Sequence, residues 1–380
     1  MFERESVLAA ADRFLRDGQL RDAWRSLDRY SSNFPADAHR PNRLWEQARA
    51  LSQEADLVGR VSIATWPDWA LAAVSVTFDD RLPSHVDVVR PDLDRHKIPG
   101  TFFVIREHPS LPPLDDDSRE KWRSLAESRH EIGNHTDTHP PNLSGLSRAE
   151  IVSQLNSCDR FIQSLHPVSA VTSFSYPYGL HGPKHGRLRE QVRRRYLVGR
   201  SSSSTEVGPN LSTPPEMDAL HSYSLPAGQH PDGIQRKLDQ STIQRGWMIF
   251  TIHEVEQGEG YGDIGRNVWN HFLDTLVRAR DRLWFGTLSD VARYIHGRVS
   301  SIVQCDQTRE NEMRLAITAD TPTCDRDRMP LDVSVRVPSC WQQVRFTTSD
   351  HETCQLAVQQ NRVLARVLPD GQTAAIRRTQ

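Results

Sequence analysis

Leu71-Ala-Ala-Val-Ser-Val-Thr-Phe-Asp-Asp80 is the stretch on which the reading of this chain turns. A run of apolar and β-branched residues without polar alternation is the pattern of a strand covered on both faces, and it stops abruptly at two adjacent carboxylates. Downstream, the texture repeats. Val86 to His96 has helical spacing, Gly100 to Ile105 is a second apolar run, and Trp247 to Ile252 and Trp284 to Leu288 are later ones. Short apolar runs alternating with helical stretches predict parallel strands joined by crossover helices, an α/β fold whose closure makes a barrel. Proline- and serine-rich segments, Pro109 to Ser118 and Ser201 to Glu216, read as surface or substrate-facing loops.

The flanks differ. Residues 3 to 31 place Val7, Leu8, Phe14, Leu15, Leu20, Ala23, Trp24, Leu27 and Tyr30 at helical spacing, with Asp17-Gly18 as the turn of a hairpin; a further helix is expected over Arg43 to Val58. After Gly297 the helical signal fades. Met313–Ile317, Leu331–Val337, Gln343–Thr347, Gln355–Val358 and Val363–Val367 read as short strands, and Asp370-Gly371 as a late turn. The domain reading is therefore a helical cap over residues 1–60, a barrel over 61–298 and a small antiparallel β-domain over 299–380. The flanking segments are candidate surfaces for a homo-oligomer.

Composition excludes several classes. At 380 residues, with 37% hydrophobic and 25% charged residues, the chain can bury a sizeable core. Forty-seven basic residues against 49 acidic ones leave a formal charge of -2, which offers no electrostatic case for nucleic acid or an anionic membrane. No stretch approaches a membrane span, and charges interrupt the first twenty residues every few positions, so a cytoplasmic location is expected. Cys158, Cys305, Cys324, Cys340 and Cys354 show no C-x-x-C spacing and are expected to be free, buried thiols.

Four short motifs carry chemistry. Asp79-Asp80 at a strand end makes sense if one carboxylate binds a metal and the other takes a proton from the attacking water, although by itself such a pair is ordinary turn chemistry. His135-Thr-Asp-Thr-His139 lets two imidazoles reach one metal, and an aspartate from another strand end completes a two-His, one-Asp set with open positions. Ser173-Phe-Ser-Tyr-Pro177-Tyr178-Gly is a tight loop able to present a backbone N–H to a developing oxyanion. Met248-Ile-Phe-Thr-Ile-His253 ends a strand in a histidine suited to general acid work.

Taken in order, Thr-Phe-Asp79-Asp80, His135-x3-His139, Tyr-Pro177-Tyr178-Gly and Ile252-His253 resemble the motifs of the polysaccharide deacetylases, the NodB-homology or carbohydrate esterase family four. Gly100-Thr-Phe-Phe-Val104, His130-Glu-Ile-Gly-Asn-His135 and Trp284-Phe-Gly-Thr-Leu288 resemble it as well, and the similarity spans roughly residues 70 to 295. The resemblance implies a distorted (β/α)7-type barrel with its site at the C-terminal strand ends. It also implies a divalent metal, zinc first, held by Asp80, His135 and His139. Asp79 would be the base, the Tyr178 N–H an oxyanion donor and His253 the acid. The implied reaction is removal of N-acetyl groups from an amino sugar or a larger saccharide. Hydrolysis of a non-sugar amide or cyclic imide, and a non-catalytic carbohydrate-binding scaffold, are the alternatives.

The chain also departs from the family pattern. Arg81 stands where glycine commonly follows the paired aspartates, and Ser175 where an arginine often precedes Pro-Tyr. Arg200, after Tyr196-Leu-Val-Gly, is the candidate to bring a guanidinium to Asp79 instead. No Asp-x-x-Asp-Trp segment precedes residue 247, so Asp232 and Asp239 are the available partners for His253, and His85 is a further candidate to face the pocket.

Overall fold

The computed structural model of the chain describes residues 2–16, 20–33, 44–46, 58–107, 111, 113–166, 170–179, 185–201, 207–225, 231–256, 262–319, 328–338, 340–348 and 350–379. In chain order the strands are β1 (Val61–Ile63), β2 (Ala72–Phe78), β3 (Gly100–Val104), β4 (Glu131–Asn134), β5 (Ser173–Ser175), β6 (Val198–Arg200), β7 (Tyr223–Ser224), β8 (Trp247–Ile252) and β9 (Leu283–Phe285). Seven more follow: β10 (Ile302–Arg309), β11 (Glu312–Thr318), β12 (Leu331–Arg336), β13 (Gln343–Thr347), β14 (Thr353–Ala357), β15 (Arg362–Val367) and β16 (Asp370–Thr379). The chain divides into two compact units, one centred on residues 65–299 and the other drawing on residues 1–64, 300–320 and 330–380.

In the first unit the strands run in the order β6-β5-β4-β3-β2-β8-β7, with β9 also on β2, and every pair is parallel. The crossovers are helices, as the sequence alternation predicts: Arg90–His96 behind a wide π-turn at His85–Val89, then Asp116–Ala126, Arg148–Leu165, Gly186–Arg195, Pro231–Gln244 and Gly265–Arg278. Register decides where the strand ends fall. Phe78 pairs with both Phe102 and Ile252, Val104 with Asn134, and Ser175 with Arg200, so Asp79, His135, Arg200 and His253 all emerge at one rim.

The ring closes by a slender seam. Arg200 and Leu220 form a parallel bridge, Leu220 N–H donates to Gly199 O at 2.9 Å and Ser201 N–H to Leu220 O at 2.7 Å. The chain then runs on into β7 beside β8, which completes the distorted (β/α)7-type barrel. Strands β2, β3, β5, β6 and β8 are buried throughout, and Phe78, Phe102, Trp122, Phe250, Trp269 and Phe272 form much of the adjoining apolar core.

The second unit contains a hairpin of helices Phe2–Arg16 and Leu20–Asn33, packed through Ala11, Phe14, Leu15, Ala23 and Leu27. The expected Asp17-Gly18 turn lies outside the described residues, as does the Arg43–Val58 helix apart from Leu44–Glu46, which is helical, and Val58, which lies in a turn rather than a helix. The C-terminal residues form antiparallel sheets, one ordered β10-β11-β16-β13-β14 and the other β1-β12-β15. Val61–Ile63, read from sequence as the start of the barrel stretch, pairs with Val333–Val335 in the smaller sheet, a non-local register that three residues cannot announce. β10 and the full length of β16 were also not anticipated, because their polar, arginine-bearing sequences lack a clear apolar alternation. Cys158, Cys305, Cys340 and Cys354 are free, but Cys340 and Cys354 are exposed rather than buried, Cys354 lying on β14 at the end of its sheet.

Gly133 on β4 has no room for a side chain. A Cβ there would lie 2.5 Å from both Phe103 Cε1 and Ser173 Oγ, inside the sheet wall. Gly133→Ala is expected to destabilise the protein by about 1–3 kcal/mol, measured by urea denaturation, as overpacking of a close-packed interior does.

Candidate active site

Asp79 follows β2, with its N–H donating to Ile252 O at 3.2 Å, and the chain then turns sharply: Asp80 and Arg81 adopt φ of 80° and 57°. Arg81, in the position where glycine is common, tolerates this left-handed geometry with its guanidinium buried and Nε donating to Ile105 O at 2.8 Å. The histidine-bearing loop after β4 is equally constrained. Thr136 (φ 71°) donates its N–H to Asn134 Oδ1 at 2.7 Å, and His139 (φ 50°) donates its own to Thr136 Oγ1 at 3.1 Å. Gln154 Oε1, from helix Arg148–Leu165, accepts the N–H groups of Asp137 and Thr138, both at 3.0 Å. Five non-glycine residues of the site, Asp80, Arg81, Thr136, His139 and Tyr178, thus have positive φ, a conformation that persists only where surrounding bonds over-determine it.

The loops bring three donors together. One ligand atom each from Asp80, His135 and His139 lies within 4.8 Å of the others, with Asp80 Oδ1 3.5 Å from His135 Nε2 and 3.9 Å from His139 Nε2. Two features of the structure fit a cation here. His135 Nδ1–H donates to Ser175 O at 2.8 Å, so the lone pair on Nε2 faces the cluster. Asp80 Oδ1 is buried without a hydrogen-bond partner, an arrangement that a bound cation would relieve. Burial raises the Asp80 carboxyl pKa, but His135, His253 and His139 outweigh it and hold the group well below the usual carboxylate range. His135 is pushed upward, the carboxylates of Asp79 and Asp80 overcoming its burial.

Asp79 is set apart from the donor cluster by a different partner. Arg200, fully buried at the end of β6, donates Nη2–H to Asp79 Oδ1 and to Ser175 Oγ, the latter at 2.8 Å. Ser175 Oγ lies 3.4 Å from Asp79 Oδ2, and the guanidinium carbon sits 5.0 Å from the Phe103 ring centroid. Burial opposes ionisation of Asp79, yet Arg200, then His135 and His253, hold its pKa below the ordinary value. The guanidinium missing from position 175 therefore arrives from the neighbouring strand, where Ser175 pairs with Arg200.

His253 leaves β8 on the other side, its Nε2 4.0 Å from Asp80 Oδ2. Asp239 pairs with Gln235 at 3.0 Å and lies 3.7 Å from Arg282, away from the site; the Asp232 side chain is outside the described residues. Pro177 is buried in the turn that presents Tyr178, whose φ is 57°; Tyr178 is 52% exposed, and its ring lies tilted against His139 with centroids 4.4 Å apart. His85 does not face the pocket. It is 0% exposed beneath the rim, among Phe78, Phe102 and Trp122, with Nε2 2.6 Å from His253 O. Sequence reasoning missed Asn134, Gln154 and Ser222, the last 3.5 Å from Arg200 Nη1; only Asn134, adjacent to His135, had any local signal.

The sequence pattern of the family described as polysaccharide deacetylase matches residues 71–196. Over that segment the chain is similar to the family. A chitooligosaccharide deacetylase from Rhizobium leguminosarum bv. phaseoli is 34% identical over 110 residues, 28% of this chain and 44% of that protein. A gellan lyase from a Bacillus species is 24% identical over 311 residues, 76% of this chain and 12% of the lyase. The chain thus spans less than half the length of either relative. Among solved structures, the Xyl-CE4 domain of a multidomain xylanase from the hindgut metagenome of Trinervitermes trinervoides is 14% identical with a TM-score of 0.40, covering 58% of this chain and 89% of that one. A family 4 acetyl xylan esterase from Clostridium thermocellum, in complex with a cobalt ion, is 20% identical with a TM-score of 0.39 and covers the same shares.

Two outcomes are expected within this barrel. Arg200→Leu leaves the Asp79 carboxylate buried and unpaired, and should destabilise the protein by about 3–5 kcal/mol, less in combination with Asp79→Asn, as measured by urea denaturation. Burial also holds His85 and His130 at about 4, below the ordinary value of roughly 6.5. Between those limits the unfolded chain binds more protons than the folded one, so stability is complete above about pH 6.5 and declines as pH falls towards 4. Urea midpoints measured across that window should fall, and less steeply in His85→Gln.

Proposed function

We propose that this protein is a metal-dependent hydrolase that removes N-acetyl groups from an acetylated amino sugar or saccharide. The observation that carries the reading is the division of labour between two adjacent carboxylates: Asp80 grouped with His135 and His139, and Asp79 paired with Arg200. Asp80, His135 and His139 would hold the divalent metal, zinc by preference for a two-His, one-carboxylate donor set. Such an ion polarises the amide carbonyl and makes a water acidic enough to attack near neutral pH.

The remaining steps belong to the chain. Asp79, kept ionised by Arg200, accepts a proton from the attacking water and is held at one angle by Arg200 and Ser175. As the acetyl carbonyl becomes tetrahedral, the Tyr178 N–H, presented by its left-handed turn, donates to the oxygen that gains charge. His253, across Asp80 from the other histidines, gives a proton to the departing nitrogen. The carbon–nitrogen bond breaks, and acetate and a free amine leave. The carbohydrate preference rests on the family assignment and on the chitooligosaccharide deacetylase relatives. Among the described residues no helix is long and apolar enough to cross a membrane.

Acetate release from a panel of N-acetylated mono- and oligosaccharides tests the reading, using metal-stripped, zinc-restored and Asp79→Asn protein. Stripping is expected to abolish release and zinc to restore it, while Asp79→Asn lowers kcat about 10²–10⁴-fold, the usual range for loss of a general base. Silence from zinc-loaded protein across the sugars, with release from simple amides or cyclic imides, would move the substrate outside carbohydrates.

A further inference from the structure

His85 is a buried imidazole that the proposed chemistry does not use. It sits six residues after Asp79, on the segment that carries both site carboxylates, and opens the π-turn His85–Val89. Wide turns of this kind aim a side chain that a regular helix would point elsewhere. Its N–H donates to Leu82 O at 3.0 Å, and its ring is enclosed by Phe78 (5.6 Å between centroids), Phe102 (5.7 Å) and Trp122 (6.3 Å). The Nδ1 edge meets no hydrogen-bond partner. The Nε2 edge lies 2.6 Å from the backbone carbonyl of His253, which can only accept, so Nε2 carries the proton.

A core histidine that merely filled space would not need to leave one nitrogen unpartnered in an aromatic cage in order to reach one carbonyl. That carbonyl belongs to the residue immediately after β8, where the sheet ladder no longer dictates position. The 79–85 segment grips the end of β8 and the residue after it: Asp79 N–H donates to Ile252 O at 3.2 Å, and His85 Nε2–H donates to His253 O at 2.6 Å. The same short segment thus carries the base and the metal-binding carboxylate and clamps the backbone of the acid.

Resting on the deacetylase reading above, we propose that His85 is a positioning residue that, through the His253 backbone carbonyl, fixes the imidazole of His253 at its working distance from Asp80 and the substrate nitrogen. A displacement of about 1 Å at such a group can cost about 10²-fold in rate. His85→Leu keeps the approximate bulk and removes the donor; His85→Gln keeps a side-chain N–H of similar reach.

The test uses the full chain loaded with zinc. In His85→Leu, kcat for N-acetyl sugar hydrolysis is expected to fall about 10–100-fold with KM and zinc stoichiometry unchanged, and His85→Gln to recover part of the loss. Hydrolysis of 4-nitrophenyl acetate, whose phenolate departs without a proton, should be nearly unaffected. His85→Leu should add little to the loss caused by His253→Ala. Equal losses on both substrates, or a full additive loss on top of His253→Ala, would assign His85 to packing and overturn the proposal. A substrate-free arm separates this from failure of the functional reading: in ¹⁵N-histidine NMR, the His253 ring resonances should shift and broaden in His85→Leu but stay close to the parent in His85→Gln. Unchanged His253 resonances in His85→Leu refute the positioning role even if the parent protein releases no acetate from any sugar.

Discussion

The buried ion pair between Asp79 and Arg200 is the constraint around which the rest of the site is arranged. Taking both charges out of water is costly, and attraction offsets that cost only where the geometry is good and the remaining lone pairs and protons are satisfied. The barrel interior supplies most of those partners, leaving Arg200 Nε buried without a hydrogen-bond partner. Ser175 contacts both charges, Ser222 approaches the guanidinium and donates to Ser201 O, and Thr251 donates to Ser222. The seam that closes the ring lies at the same place, since Arg200 itself bridges to Leu220. Closure of the barrel and ionisation of Asp79 are thus two aspects of one local arrangement.

A second constraint is backbone strain at the rim. Left-handed geometry in non-glycine residues costs on the order of 1–3 kcal/mol each, so it survives where neighbours leave the chain no alternative. Here the neighbours are identifiable: Ile105 O holds Arg81, Asn134 and Thr136 hold the histidine loop from within, and Gln154 holds it from the helix behind. Trp122 and Phe102, which cage His85, belong to the same apolar body as β2 and β8. Packing behind the strands is in this way converted into positional precision in front of them.

Much of the outline was legible from local pattern. Apolar runs ending in Asp79-Asp80 and in His253 marked strand termini, the spacing of His135 and His139 suggested shared ligation, and the order of the motifs pointed to a barrel of known type. Such signals are local because strand periodicity, turn residues and ligand spacing are properties of a few consecutive residues. The two departures, Arg81 and Ser175, were equally visible, but their consequences were not.

The sequence by itself marked which residues should end strands, which of them are candidates to bind a cation or move a proton, and Arg200 as a candidate to stand in for the arginine absent at position 175. Only the tertiary structure decided that Arg200 does so, that His85 turns beneath the rim towards the His253 carbonyl, and that Val61–Ile63 pairs with β12 rather than with the barrel. The reason is register. Whether two side chains distant in sequence meet depends on how parallel strands are staggered and how the ring closes, and a shift of one residue would turn each of them to the opposite face of its strand.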